Sequence, residues 1–536
     1  MIDVAAILGR EFDRSLLGAV APLGHADLEP ALVKLAAQDV LRPVGGVPAR
    51  CEFGHALLQE AAYGRILRRR RRDLHGHVAD TLVRSFADVV EREPELVAHH
   101  WSCADEPAGA MPYWRAAGSR ALERAAYVEA AEHFRRGLEA LDDAGEADGD
   151  ERDRADLLTH LAASVQAGRG YAASGVDEAY ARARTAWEHV GNEDRLERVI
   201  RGQWMFHLLR GQYDEALALA DEMLLLGGRE HPAALSEGHM YRGLVEMYLG
   251  NFDLAREHLA DAYERYQPPD SADRIYEAQG DASVGSLAYI ALVLWNQGHA
   301  AESRERSELS IERAELIGGA VTRAQAWGMR SILHLSRAEP ADLARWVQKT
   351  YAHSVDHRIG YWRTVSALLQ GWMQGRAGDL DRGTKRVRES LDEYVATGHR
   401  LSLPHFQILL ADLHLAGGDP RTALDLLRAG EEHIEETGER FSESELFRFK
   451  GRALMAGDAP DPDGATAAFE HAVAAAREQN ARLLELRAAT RLASHQRRIG
   501  EPAMALARVA ELCDWFPLGP DVPDVVRARE MVDSEE

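Results

Sequence analysis

Histidines and arginines are the first residues in this chain whose types and spacing could do chemistry. His353 and His357 stand one helical turn apart, a spacing that lets two imidazoles reach one metal ion. No third ligand lies nearby in sequence and no HExxH occurs, so the pair reads as helix-surface histidines. His75 with His77, and His99 beside His100, share that deficit. Arg68, Arg69, Arg70, Arg71 and Arg72 form an unbroken basic run that could hold phosphate or an acidic partner. The competing reading is a helix end, where cations face the negative pole of the dipole and long stems cover apolar surface. No GxSxG is present, and the 87 Asp and Glu residues are too many to single out a catalytic pair. The lysines are Lys34, Lys349, Lys385 and Lys450; none follows a glycine, so the GK[ST] of a phosphate-binding loop is missing. The expectation is a chain with no catalytic residue, no metal and no cofactor of its own.

The elements that carry these residues announce themselves by repetition. Gly211-Gln-Tyr213-Asp-Glu-Ala216 recurs as Gly250-Asn-Phe252-Asp-Leu-Ala255. Weaker copies start at Gly298, Gly378, Gly418 and Gly500, one with an insertion follows Gly457, and one without glycine is Glu339-Pro340-Ala341-Asp342-Leu343-Ala344. A recurrence of roughly forty residues predicts a solenoid of helix pairs, an architecture of binding surfaces. Glycine ends the first helix in the left-handed conformation, and a small residue lets the second pack closely. Tyr241, Leu244, Val245 and Tyr248 mark the face before Gly250; Ala255, Leu259, Ala262, Tyr263 and Tyr266 mark the one after it. Gly243 and Gly371, each seven residues before an elbow glycine, would let helix axes approach. Trp204, Phe206, Trp295, Trp327, Trp346, Tyr361, Trp362 and Trp372 fall on helical stripes, mostly as core, with a few left to line a groove.

The pattern resembles the tetratricopeptide repeat over 204–266 and more loosely afterwards. The fold class expected is all-α, a right-handed tetratricopeptide-like solenoid with a small N-terminal winged-helix module. The divisions are 1–90 (winged helix and following helices), 91–142 (first helical repeats), 143–156 (acidic linker), 157–531 (repeats) and 532–536 (acidic tail). Gln267–Asp273 reads as a loop. The net charge of −24 speaks against general nucleic-acid binding. No apolar run is long enough for a transmembrane helix and no secretory signal is visible. Cys51, Cys103 and Cys513 form no CxxC pair and read as reduced, so the chain is expected in the cytoplasm.

Residues 1–53 break the period. Asp13 can cap a helix with Leu16, Leu17 and Val20, a second helix holds Leu28, Leu32 and Leu35, and Val40–Val44, a Gly45-Gly46 turn and Arg50–Phe53 read as a hairpin. That is winged-helix order. The would-be recognition helix, 26–39, has mostly acidic charges, and phosphate would repel Asp27 and Glu29, so a packing module is favoured over a DNA reader. A strongly amphipathic helix is expected from about His55, and another from Asp73 to about Phe86.

Phe53-Gly54-His55-Ala56-Leu57-Leu58-Gln59-Glu60-Ala61-Ala62-Tyr63, followed by Arg70-Arg71-Arg72-Asp73-Leu74-His75, resembles the region after the ATPase domain of large bacterial STAND signalling ATPases. Those proteins are cyclase-linked or carry a LuxR-type DNA-binding domain. Ala5–Phe12, Pro94–Trp101 and Gly519–Arg529 fit the same family, the last in its cyclase-linked branch. The resemblance implies a regulatory half, truncated or encoded apart from an ATPase module in cis or trans, with ATP or ADP bound only where that module is present. It also implies that His55 contacts ADP held by the ATPase; the alternative is that His55 caps the helix starting at Ala56. The function expected is a sensor region that binds a protein or small ligand on the repeats and couples it to the ATPase. A stand-alone scaffold and a winged-helix transcriptional regulator are the competing readings.

Overall fold

The computed structural model describes residues 1–21, 25–44, 50–124, 126–145, 150–191, 193–228, 232–267, 280–500, 503–516 and 522–534. The chain divides into two compact units, Met1–Gly168 with Glu178–Asn192, and Arg169–Asp177 with Glu193–Glu536.

The first unit opens with α1 (Ile2–Leu8), β1 (Glu11–Asp13), α2 (Arg14–Val20), α3 (His25–Ala37), β2 (Leu41–Pro43) and β3 (Arg50–Phe53). Asp13 caps α2 as expected, its carboxylate accepting from Ser15 N at 2.7 Å. The hairpin strands pair antiparallel, and β1, unforeseen in the sequence, joins them to give the order β1-β3-β2. The Gly45-Gly46 turn lies outside the described residues. Phe12 and Phe53 meet edge-on at 6.3 Å over a core of Ile7, Leu17, Leu41 and Leu82. Then come α4 (Ala56–Arg65), α5 (Arg68–Ser85), α6 (Ala87–Arg92), α7 (Pro94–Cys103), α8 (Pro107–Glu123), α9 (Tyr127–Ala144), α10 (Asp150–Arg169) and α11 (Val176–Val190).

Three expectations are corrected here. The 143–156 linker is largely helical: α9 runs to Ala144 and α10 starts at Asp150. Ala155 and Leu158 are buried while Glu151 and Arg152 stay exposed, so a charged, exposed first turn hid a helix that is buried further along. Helix α4 is not strongly amphipathic; none of its side chains is buried. The arginine run opens α5 instead of preceding a helix from Asp73, and its cations sit at the positive end of that helix.

The second unit is a succession of helix hairpins. They are α12 (Glu193–Leu209) with α13 (Tyr213–Gly227), α14 (Pro232–Tyr248) with α15 (Phe252–Glu264), and α16 (Ala282–Gln297) with α17 (Ala300–Ile317). Next are α18 (Ala320–Ser336) with α19 (Pro340–Asp356), α20 (Gly360–Arg376) with α21 (Leu380–Ala396), and α22 (Leu403–Ala416) with α23 (Pro420–Thr437). Last are α24 (Glu443–Leu454) with α25 (Pro462–Glu478), α26 (Arg482–Ile499) with α27 (Ala503–Trp515), and α28 (Pro523–Asp533). The chain is thus an all-α, tetratricopeptide-like solenoid. Helix α28 takes in the start of the expected tail, and the Pro268-Pro269 loop lies outside the described residues.

The elbow glycines do what their spacing asks. Gly211, Gly250, Gly298, Gly378, Gly418, Gly457 and Gly500 all have positive φ. In the copy without glycine, Ala338 takes φ 55°. A Cβ on Gly243 would sit 2.8 Å from Leu259 Cγ, and one on Gly371 2.9 Å from Val387 N, so both hairpins are as close as the sequence proposed.

The solenoid also closes on itself. The carbonyl of Leu209, ending α12, accepts from the backbone N–H groups of Arg400 and Leu401, and that of Tyr248, ending α14, from Arg440 and Phe441. Around these seams Tyr213 donates to Glu439 Oε2 at 2.7 Å across 226 residues of chain. Ser402 N donates to the same oxygen at 3.1 Å and His433 Nε2 lies 3.3 Å from it. Glu439 is fully buried.

Candidate functional site: an arginine-lined groove

The first helices of the hairpins from α16 onward, together with α28, line a groove of about 740 Å³ in the second unit. Its walls come chiefly from α20, α22, α24, α26 and α28. Apolar surface is supplied by Trp372, Leu409, Phe449, Leu484 and Met531. Trp372 is therefore the aromatic, of those noted in the sequence, that turns to the groove, whereas Trp204, Trp295, Trp327 and Trp362 are core.

Over the apolar floor stands an excess of cations. Seven arginines line the groove against four carboxylates, in a chain whose net charge is −24. The carboxylates are stretched thin. Asp412 is shared by Arg376 at 3.7 Å and Arg452 at 3.4 Å, and also accepts from Trp372 Nε1 at 3.2 Å. Asp524 is shared by Arg487 at 2.7 Å and Arg527 at 2.5 Å. Arg448 grips Glu445 through two bonds of 2.8 and 2.6 Å. Burial works against ionised Glu445, but the Arg448 guanidinium outweighs it and holds the carboxyl at about 2. Arg491 ends without a hydrogen bond or ion pair among the described residues. Desolvation, then Arg448, Arg452 and Arg527, pulls its pKa below the ordinary arginine range. His405, also on the wall, is pushed down to about 4 by burial, and its Nε2 has no partner among the described residues.

The residues singled out in the sequence lie elsewhere. His55, in the first unit, occupies the N-cap position of α4 without a side-chain capping bond and is exposed. In the basic run, Arg72 pairs with Asp105 at 2.9 Å and Arg70 approaches Asp3 at 3.9 Å. Arg71 stacks over Tyr63 at 4.6 Å and caps the carbonyls of Ile66 and Gly64. Arg68 and Arg69 are exposed. His353 Nε2 donates to Ala320 O at 2.8 Å, a bond that ties α19 to the start of α18.

One cluster went unseen in the sequence. His75 and His100 meet Nδ1 to Nδ1 at 2.8 Å, with Tyr63 Oη 3.1 Å from His75 Nε2. Both rings are 1% exposed. Burial, with His99 and Arg71 adding repulsion, lowers His75 to about 4; burial, with His75 and His99, lowers His100 to about 3. These are neutral, proton-sharing rings at neutral pH. A second trio, His334, Glu339 and Asp342, is close enough to face one metal ion. Arg337 occupies Glu339 at 2.9 Å and Arg330 bonds His334 Nε2 at 3.0 Å, and two guanidiniums there repel a dication.

No family model matches the chain. It is 24% identical over 496 residues to an uncharacterized protein of Rhizobium meliloti (strain 1021), covering 90% of this chain and 47% of that protein; it thus spans about half the length of that relative. Among solved structures, the apo form of the quorum sensor NprR from B. thuringiensis is 11% identical, with 81% of this chain and 99% of that one covered at a TM-score of 0.41. A STAND protein with a tetratricopeptide repeat sensor from Pyrococcus horikoshii is 9% identical, covering 95% of this chain and 61% of that one at a TM-score of 0.29. No helix among the described residues is long and apolar enough to cross a membrane.

Proposed function

We propose that this chain is a non-catalytic sensor region: a partner binds the repeat solenoid, and the N-terminal winged-helix module passes that event to a STAND-type, cyclase-linked ATPase module. The order helix, strand, two helices, strand, strand supports the winged-helix reading. One observation carries the coupling. Helix α4 buries none of its side chains, and Leu57, Leu58 and, just beyond it, Leu67 are 66%, 41% and 77% exposed beside the exposed His55. Apolar side chains left open on a folded module mark a face that another module covers.

Coupling then needs only that the partner bind one arrangement of the modules better than the other. His55 would donate to a diphosphate held by the ATPase, and nucleotide enters only through that module. The setting is the cytoplasm. The test starts with the DNA upstream of codon 1, where an in-frame or adjacent P-loop is expected. With the ATPase module joined, His55→Ala is expected to release tightly held ADP. Unchanged ADP retention would remove His55 from the mechanism, and absence of any ATPase reading frame would leave a stand-alone scaffold.

A further inference from the structure

The groove arginines are placed in rows. Arg448 and Arg452 are four residues apart on α24, and Arg487 and Arg491 four apart on α26. Like charges at that spacing repel, so each row works against its own helix. Four residues of helix rise about 6 Å. Alternate side chains on one edge of an extended peptide recur at about 6.5 Å. The two spacings match closely enough for successive acidic side chains, one residue between them, to step along a row.

The floor answers the other half of such a peptide. Trp372 on α20, Leu409 on α22, Phe449 on α24 and Leu484 on α26 offer apolar surface along the groove. A lone phosphate needs donors converging on one point, whereas these guanidiniums are strung along two helices and onto α28. Most are also already turned toward Asp412, Asp524 or Glu445. Arg491 is exposed and unengaged among the described residues, and is the cation ready for a ligand.

We propose that the groove takes an extended acidic peptide segment with carboxylates at alternate positions, Arg491 being its first charged contact. The proposal rests on the reading that the repeat surface is where a partner binds. It adds that partner's chemistry.

The experiment uses the full chain and a fluorescein-labelled twelve-residue peptide alternating Glu with Leu or Ala, read by fluorescence anisotropy. Controls are the same composition with its glutamates in one block, and a version with Lys for Glu. The alternating peptide is expected to bind, more weakly at higher salt, and the Lys peptide not at all. Arg491→Glu is expected to weaken binding at least about tenfold. Arg382→Glu, a surface charge reversal outside the groove, is expected to leave it unchanged, with thermal melts confirming that both variants fold. No binding of the alternating peptide, equal affinity for the block peptide, or indifference to Arg491→Glu overturns the proposal. Displacement by millimolar inorganic phosphate also overturns it, in favour of a small-anion site. Loss of the peptide with His55-dependent ADP retention intact would reject this ligand and keep the sensor; the reverse would keep the groove and reject the ATPase coupling.

Discussion

Acidification should unfold the first unit through the His75–His100 pair. The rings are buried against each other, and their folded pKa values of about 4 and about 3 lie below the ordinary histidine value of 6.5. The unfolded chain therefore binds more protons than the folded one once pH drops under 6.5. The stability they confer is complete above that value and drains away as pH falls toward 4 and 3. Between pH 7.5 and 5 linkage gives a loss of about 2 kcal/mol for each ring, so about 4 kcal/mol is the ceiling for the pair. That is a large share of the 5–15 kcal/mol typical of a folded domain, taken here as a rough scale. The assay is hydrogen exchange read by mass spectrometry on peptides from α5 and α7, corrected for intrinsic pH dependence. Protection there should fall between pH 7 and 5. The double variant His75→Phe/His100→Leu should flatten the dependence even if it shifts overall stability. Equal protection factors at pH 7.5 and 5 in the unmodified protein, or the same slope in the double variant, would refute the reasoning.

Three further outcomes follow from backbone and packing. Ala338→Gly should stabilise the second unit by about 1 kcal/mol, because Ala338 holds a left-handed φ that glycine adopts freely; the urea midpoint reads it. Gly383→Ala should cost about 2–3 kcal/mol, since its Cβ would fall 2.4 Å from Gly375 N and backbone cannot step aside; the same midpoint must move down. Glu439→Leu should cost about 3 kcal/mol by stranding the Tyr213 hydroxyl, Ser402 N and His433. A Tyr213→Phe background should recover part of that loss, and full additivity of the two would argue against the network.

The hairpins were legible because their determinants are local. Elbow glycines, small residues at helix crossings and stripes such as Tyr241, Leu244 and Val245 each speak for their own neighbourhood. The acidic stretch is ambiguous because polarity without visible period looks the same in a linker and in the exposed first turn of α10. The arginine run was misplaced for a related reason: cations are usual at a helix end, but which end depends on Leu67 at the N-cap of α5 and on Asp105 and Asp3 reaching it from other segments. The groove was half-visible. Arg448 with Arg452, and Arg487 with Arg491, have a spacing that sequence displays, yet only the stacking of α24 on α26 brings the rows together. The His75–His100 contact needed α5 and α7 side by side, and no single segment records it.

Ordinary repeat arrays unfold piecemeal, since each repeat touches only its neighbours and stability is close to a sum of local terms. The seams from Leu209 to Arg400 and Leu401, and from Tyr248 to Arg440 and Phe441, break that rule. Contacts so remote along the chain tie the early hairpins to the late ones, so the second unit should melt as one cooperative block and not fray from its ends. They also raise the contact order, and the chain must close very large loops before those bonds repay it. Such a solenoid folds slowly for a helical protein. In exchange, strain on α12 or α14 should reach the hairpins that begin with α22 and α24, about 190 residues further along the chain.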